Sequence, residues 1–332
     1  MSNLIEKLST ELPFIPKVSV IIPIYNGEAD LSDLLNCLYS QTYPKEQVEY
    51  LLVNNNSTDQ TAQILEKAVA NSHHRGMTLK ALNEDQIQSS YAARNQGICQ
   101  ATGDIIAFTD ADCRPIPQWI EALVQPFIDK TIGIVVGELA ALPGNSLLEK
   151  YAERCGMMSQ KFLLEHPFLP YGQTANLAIR RVIFNEIGLF RPYLTTGGDA
   201  DICWRIQQQT DWKLTFAATA IIRHRHRSNL KELKSQWQRY GKSNQYLHEL
   251  YGVDLMREFT SKEVLYRLSR WIIKDVPRDS FKIIMGKGSP IDLIKMPIDL
   301  FIFYARYQGQ KTAKLPEEAQ TIQWLENLNY LF

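Results

Sequence analysis

The chain has 332 residues, 45% of them hydrophobic and 22% charged. That is the composition of a folded protein, and it excludes a disordered chain. Lys and Arg number 36, as do Asp and Glu, so the basic excess of a nucleic-acid binder is missing and nucleic acid is not expected as a partner.

The five cysteines, Cys37, Cys99, Cys113, Cys155 and Cys203, are odd in number, widely spaced and without a CxxC pair. They read as reduced thiols in a cytoplasmic setting. Residues Met1 to Pro16 have no basic start followed by a long apolar run, so no secretory leader is expected.

Val18 to Ile24 is a β-branched run that reads as a buried strand. Leu31, Leu34, Leu35 and Leu38 repeat at helical spacing. Val48 to Val53 is a second strand, running into the polar cluster Asn54 to Asp59, and a helix follows from Thr61 to about Ala70 with Asp59 as its cap. Thr78 to Leu82 is a weaker strand. Ser89 to Ala101 is helical and stopped by Gly103. Asp104 to Phe108 is a strand ending in Asp110-Ala111-Asp112, Pro117 to Ile128 a helix, and Ile132 to Val136 a fifth strand.

Strands alternating with helices predict an α/β protein with a mostly parallel sheet flanked by helices. In such sheets ligands sit beyond the carboxyl ends of the strands. Tyr25-Asn26, Asn54 to Asp59 and Asp110 to Asp112 each follow a strand. Farther on, Asn176 to Ile179, Trp212 to Ala217 and Ala220 to Arg223 read as short strands, and Asp199 to Gln209 and Leu230 to Leu250 as helices. From about Lys262 the pattern is helical and interrupted by Pro277, Pro290 and Pro297. The stretch Met296 to Ala305 is too short to span a bilayer and reads as a buried or amphipathic helix, with peripheral contact at a membrane surface as the other reading.

Asp110 and Asp112 are two carboxylates one residue apart at a strand end, able to face one ligand. A hard cation, Mn²⁺ or Mg²⁺, neutralises a diphosphate with such oxygens, while the bland reading is a solvated acidic turn. Asp199 and Asp201 follow Gly197-Gly198 at a helix start. They are either helix-terminal charges or a poised base for a hydroxyl. His224 and His226 alternate with Arg223, Arg225 and Arg227, a pattern for metal or anion binding or a basic face. No P-loop, G-x-G-x-x-G or G-x-S-x-G element is present, which argues against NTPases, dinucleotide oxidoreductases and serine hydrolases.

Taken in order, these segments resemble the family 2 inverting glycosyltransferases of the GT-A fold. The similar segments are Val18 to Asn26, Leu52 to Thr61, Ala93-Arg94-Asn95, Gly103 to Asp112, Asn176 to Arg181 with Gly188-Leu189-Phe190, and Gly198 to Arg205. The likeness covers roughly Lys17 to Gly241. It implies a catalytic domain over 1–250, with a nucleotide-binding half at about 17–140 and an acceptor half at about 141–250. Residues 251–332 would be a helical C-terminal extension.

It further implies a metal-assisted, inverting transfer from a nucleoside-diphosphate-sugar, UDP-sugars foremost, to the hydroxyl of a glycan or lipid-linked acceptor. Pro23, Tyr25, Asn54, Asn55, Arg94 and Asp110 would bind the donor. Asp112, with Asp110 and His224, would hold the cation, His226 being a lesser candidate. Asp199 would be the base, and Asn176 and Asp201 would lie on the acceptor side. The resemblance suggests envelope polysaccharide synthesis at the inner face of a membrane. Asn54 stands where this family usually has Asp, and Gly198 where it often has Glu. These departures motivate a second reading, a non-catalytic nucleotide-sugar binder or partner subunit. A nucleotidyltransferase ranks lower, because Ile24 to Glu28 holds one glycine and no basic residue.

Overall fold

The structure is a computed structural model that describes residues 14–258 and 260–325. The leaderless reading of the first 16 residues therefore lies largely outside them. Eight strands form one sheet in the order β3-β2-β1-β4-β7-β6-β8-β5. They are β1 (Val18–Ile24), β2 (Val48–Asn54), β3 (Thr78–Asn83), β4 (Ile105–Phe108), β5 (Cys113–Pro115), β6 (Ile132–Ala141), β7 (Leu177–Arg180) and β8 (Lys213–His224).

The first four strands are parallel, as expected for βαβ units. Beyond β4 the sheet is mixed. β7 runs antiparallel to both β4 and β6, β8 is parallel to β6, and β5 is antiparallel to β8. The two short strands expected at 212–223 are the single strand β8. Its pairing with β6 shifts between Gly137 and Glu138, opposite a jump from Ala217 to Ile221. This bulge interrupts the alternation that the sequence displays.

β1 is buried along its whole length because helices cover both faces of the sheet. One face packs on α1 (Glu28–Tyr39), α2 (Thr61–His74) and, past α3, on α4 (Trp119–Val124). The other packs on α3 (Ser90–Gln100) and, farther along the chain, on α7 (Ile183–Ile187) and α8 (Gly198–Gln209). Two further helices, α5 (Leu147–Arg154) and α6 (Lys161–Leu164), precede α7.

The C-terminal part is helical, as expected: α9 (Leu230–Tyr251), α10 (Ser261–Arg270), α11 (Val276–Ile284) and α12 (Pro290–Thr312). α12 contains the stretch Met296 to Ala305. Its Ile298 and Ile302 pack inward with Tyr151 of α5 and Leu233 of α9. The backbones of α9 and α12 touch: a Cβ on Gly241 would collide with the Arg306 carbonyl, and one on Gly309 with the Gln238 carbonyl. Among the described residues no helix is long and apolar enough to cross a membrane. All five cysteines are free.

One buried carboxylate ties the first strands together. Glu49 is 2% exposed and accepts from the Ser19 hydroxyl at 2.7 Å, the Thr102 N–H at 2.7 Å and Lys80 Nζ at 2.9 Å. Burial pushes its pKa up, but these donors outweigh it and hold the group at about 2. A folded pKa below the unfolded one means stability is present above the unfolded value and lost as pH falls toward 2. The shift from 4.5 corresponds to roughly 3 kcal/mol at neutral pH. We expect Glu49→Gln to lose about that much in urea denaturation at pH 7. The gap from wild type should close as pH falls from about 4.5 to about 2. An unchanged gap across that range would remove Glu49 from the acid response.

Candidate active site

The turns after β1 and β2 are built on each other. Asn26 and Asn56 adopt positive φ, 50° and 57°, which asparagine tolerates better than most residues. Asn26 N–H donates to the Ser57 hydroxyl at 2.9 Å, and Asn26 Oδ1 accepts from Thr58 N–H at 2.8 Å. Gly27 N–H donates to Thr61 Oγ1 at 2.8 Å. Asp59 accepts from the N–H groups of Glu28 and Thr61, both at 3.0 Å, so it serves the starts of both α1 and α2. The polar run after β2 is therefore mostly scaffold. Asn54 Oδ1 accepts from Ser57 N–H at 3.2 Å, a role that needs no carboxylate.

A groove opens above these turns. It is lined by Pro23, Tyr25, Asn55, Gln88, Asp110 and Asp112, among others. Tyr25 is exposed at its rim. Asn55 is buried and fixed by donating to the carbonyls of Glu84 and Ile87. Asn54 does not line the groove. A second cavity adjoins it, lined by Tyr91, Thr174, Asp199 and one face of α9. Arg94, Asp110, His224, Arg227 and Arg239 border both spaces.

Arg94 reaches up from α3, 3% exposed, and its guanidinium meets Asp110 Oδ1 at 2.6 Å. Two residues on, Asp112 Oδ2 lies 3.0 Å from His224 Nε2 at the end of β8. Antiparallel pairing of β5 with β8 sets Cys113 opposite His224 and so creates this approach. Burial pushes the Asp112 carboxyl up, but His224 outweighs it and draws the group down to about 2. Burial pulls the His224 imidazole down, and Asp112 more than reverses this, so His224 is raised. His224 Nδ1 is held by the Arg225 carbonyl at 2.8 Å, which turns Nε2 toward the carboxylate.

Asp112, Cys113 and His224 offer three potential ligand atoms within 4.8 Å of one another. Burial drives the Cys113 thiol well above its usual value, so it stays protonated and is a poor ligand. Asp110 is engaged by Arg94 and is not part of this cluster. His226 lines neither space; its buried Nε2 has no partner among the described residues.

Asp199 and Asp201, adjacent in the sequence pattern, are separated by the helix. Positions i and i+2 of a helix point to roughly opposite sides. Asp199 faces the second cavity and accepts from the Thr174 hydroxyl at 2.7 Å. Burial raises its pKa, and the nearby Arg94 charge only partly offsets this. Asp201 is 0% exposed. It pairs with Arg191 at 2.9 Å and Arg205 at 3.1 Å, and Tyr251 donates to it at 2.6 Å. Asn176, expected on the acceptor side, is also fully buried. It accepts from Trp119 Nε1 at 2.8 Å and donates to the carbonyls of Glu138 and Ala220 at the bulge. Neither Asn176 nor Asp201 lines either of these two spaces.

Gly198 leaves no room for a side chain: a Cβ would stand 2.7 Å from the Tyr91 ring. The Gly198 N–H donates to the Tyr91 hydroxyl at 3.0 Å. The departure at 198 thus accompanies a tyrosine that fills the space.

Sequence reading did not single out Thr174, Tyr91 or the α9 residues Gln236, Arg239, Tyr240 and Ser243. The last four fall at i, i+3, i+4 and i+7, a polar stripe within a helix, and that spacing was the available signal.

A model of "Glycosyl transferase family 2" matches residues 19–194. The chain belongs to glycosyl transferase family 2. It is 34% identical over 270 residues to glycosyltransferase AglE of Haloferax volcanii, covering 80% of this chain and 82% of that one. It is 24% identical over 231 residues to the pre-mycofactocin glycosyltransferase of Mycobacterium tuberculosis, spanning 68% of this chain but only 46% of the relative's length. Among solved structures, the mannosyltransferase PcManGT of Pyrobaculum calidifontis, in complex with GDP-Man and Mn²⁺, superposes with a TM-score of 0.58 at 15% identity. That match covers 90% of this chain and 88% of the other. GalNAc-T7 with UDP, GalNAc and Mn²⁺ gives 0.52 at 19% identity, covering 80% and 57%. These likenesses establish the GT-A fold of this family 2 chain.

The Asp201 network supports a direct expectation. Removing one partner of a buried ion pair leaves uncompensated charge and costs about 3–5 kcal/mol. Asp201→Ala should therefore lose stability of that order in chemical denaturation, with a matching drop in folded yield. A variant as stable as wild type would return Asp201 to the list of functional carboxylates.

Proposed function

We propose that this family 2 chain transfers a sugar from a nucleoside-diphosphate donor to an acceptor hydroxyl, with inversion, and that Asp199 is the base. The observation that carries the reading is the position of Asp199. Its carboxylate lines a cavity that shares Arg94, Asp110 and His224 with the groove above β1 and β2. An acceptor hydroxyl held beside Asp199 gives up its proton to that carboxylate as its oxygen attacks the anomeric carbon from the side opposite the leaving diphosphate. One displacement inverts the configuration.

In this reading Pro23, Tyr25 and Asn55 hold the nucleoside, and Arg94 positions Asp110 against the ribose or the sugar. Arg227 and Arg239, at the border of the two spaces, supply positive charge to the diphosphate. Asn54 contributes by shaping the turn. Residues 17–140 furnish the donor groove, and residues 141–250 furnish Asp199 and the acceptor walls. The acceptor is a glycan or a lipid-linked hydroxyl compound.

Asp112 and His224 would hold a divalent cation. A carboxylate beside an imidazole suits Mn²⁺ better than Mg²⁺, which favours oxygen. When bound, the cation supplies charge neutralisation for the departing diphosphate. The GDP-Man and Mn²⁺ held by the P. calidifontis structure, and the UDP, GalNAc and Mn²⁺ held by that of GalNAc-T7, support the same donor class here. The non-catalytic alternative loses its motivation, because the residues at 54 and 198 both have local structural reasons.

Nucleoside-diphosphate release from UDP-, GDP- and dTDP-sugars tests the donor reading directly. One donor should be hydrolysed slowly with Mn²⁺ and not with EDTA; silence with every donor, together with no nucleotide-induced thermal shift, would overturn it.

Asp199→Asn should lower transfer by at least about a hundredfold while nucleotide binding persists. The base works deprotonated and burial raises its pKa, so turnover should rise with pH along an acid limb lying above the ordinary carboxylate range. That limb should vanish in Asp199→Asn. Near wild-type turnover in this variant would refute the assignment.

A further inference from the structure

We infer that α10, α11 and the turn of π-helix joining them, Trp271–Asp275, are an in-plane docking surface for an anionic lipid bilayer. From Ser261 to Met285 the chain is almost continuously helical, yet Asp279 is its only buried residue among those described. Its large apolar residues point outward: Leu265 69% exposed, Ile273 76% and Ile284 81%, with Tyr266, Ile272 and Phe281 also above half. The helices that carry them are amphipathic. These residues recur with helical spacing along both helices and form an apolar stripe rather than scattered exposed positions. A helical segment that buries so little has no core of its own to offset its ordering, so an outside apolar phase is the missing partner.

Charge selects the kind of partner. Between Ser261 and Gly288 there are seven Lys and Arg against three Asp and Glu, a net of +4 in a chain whose total is zero. Lys274, Arg278 and Lys282 recur at i, i+4 and i+8 on the same helical stretch; Arg278 pairs with Asp275 at 3.0 Å and Asp279 at 2.9 Å, Lys282 lies 3.8 Å from Asp279, and both lysines are exposed. An apolar stripe flanked by long basic side chains matches the boundary between acyl chains and anionic headgroups, into which the stripe sinks while the ammonium and guanidinium groups stay in the headgroup layer. A protein partner would meet the same apolar residues but would not require an excess of basic charge.

The surface is fixed to the rest of the molecule. Trp271 Nε1 donates to the Leu293 carbonyl of α12 at 2.9 Å. Arg154 of α5 makes two contacts with Asp292 of α12, at 2.7 and 2.8 Å. The surface lies outside the donor groove and the Asp199 cavity, so lipid binding and sugar transfer are separable.

The test is flotation of the full chain with vesicles of phosphatidylcholine alone or mixed with phosphatidylglycerol. The chain should float with the mixed vesicles and much less with phosphatidylcholine, and added salt should weaken binding. The double variant Ile273→Glu, Ile284→Glu should bind at least about tenfold more weakly. Lys274→Glu with Lys282→Glu should bind about tenfold more weakly and lose most of the salt dependence. All four positions are exposed, so the thermal midpoint and donor hydrolysis should not change. If either double variant lowers the midpoint, Ile273→Ser with Ile284→Ser provides the same readout. No flotation with mixed vesicles, or flotation unaffected by both double variants, would overturn the proposal. So would a dimer seen by light scattering that the isoleucine variant dissolves while wild type ignores vesicles; that result would assign the stripe to a second copy of the chain.

Discussion

A guanidinium that is almost wholly out of solvent must be paired, and Arg94 has Asp110 at 2.6 Å. Much of the site depends on that pairing. Arg94 rises from α3, which the core beneath β1 and β4 holds rigidly. Fixing Asp110 fixes the turn after β4. The turn is held from the other side by Arg114, which donates to the carbonyls of Ala111 and Cys113 and pairs with Asp30 of α1 at 2.7 Å. Between these two arginines Asp112 meets His224 at 3.0 Å at the edge of the groove.

The switch from a parallel to a mixed sheet completes the arrangement. Because β7 is antiparallel to both β4 and β6, β8 again runs in the direction of β4, and its C-terminal end falls on the edge where the acidic turn leaves β4. Here β5 is only three residues long, and it runs antiparallel to β8, so His224 arrives beside Asp112 from a segment more than a hundred residues away. The bulge in β6 and β8 has a buried tenant, Asn176, whose amide satisfies carbonyls on both sides of the gap. A polar residue so enclosed rigidifies the strand ends that face the cavity.

Local pattern made part of this legible. Continuous apolar runs located β1, β2 and β4, because parallel strands covered on both faces need them. Polar clusters after those strands located the groove, because that is where the chain leaves the sheet. Three things were not legible. Two residues of one motif, Asp199 and Asp201, look alike in sequence, yet helix geometry gives one to the cavity and one to the core. The scaffold role of Ser57, Thr58 and Asp59 depends on a neighbouring turn distant in the chain. The direction of β7 and β8 depends on pairings that no local periodicity encodes.

The same limit applies to the cavity wall supplied by α9. Gln236, Arg239, Tyr240 and Ser243 face the site only because α9 is turned that way by its contact with α12. That contact needs glycine on both helices, at Gly241 and Gly309, where the two backbones meet without intervening side chains. A larger residue at either position would force the helices apart, and α9 would rotate or shift to accommodate it. The acceptor wall is thus set from behind, by the helix to which Trp271 pins the apolar stripe. α12 therefore determines where Arg239 stands relative to Asp199, although α10, α11 and α12 contribute no side chain to either space.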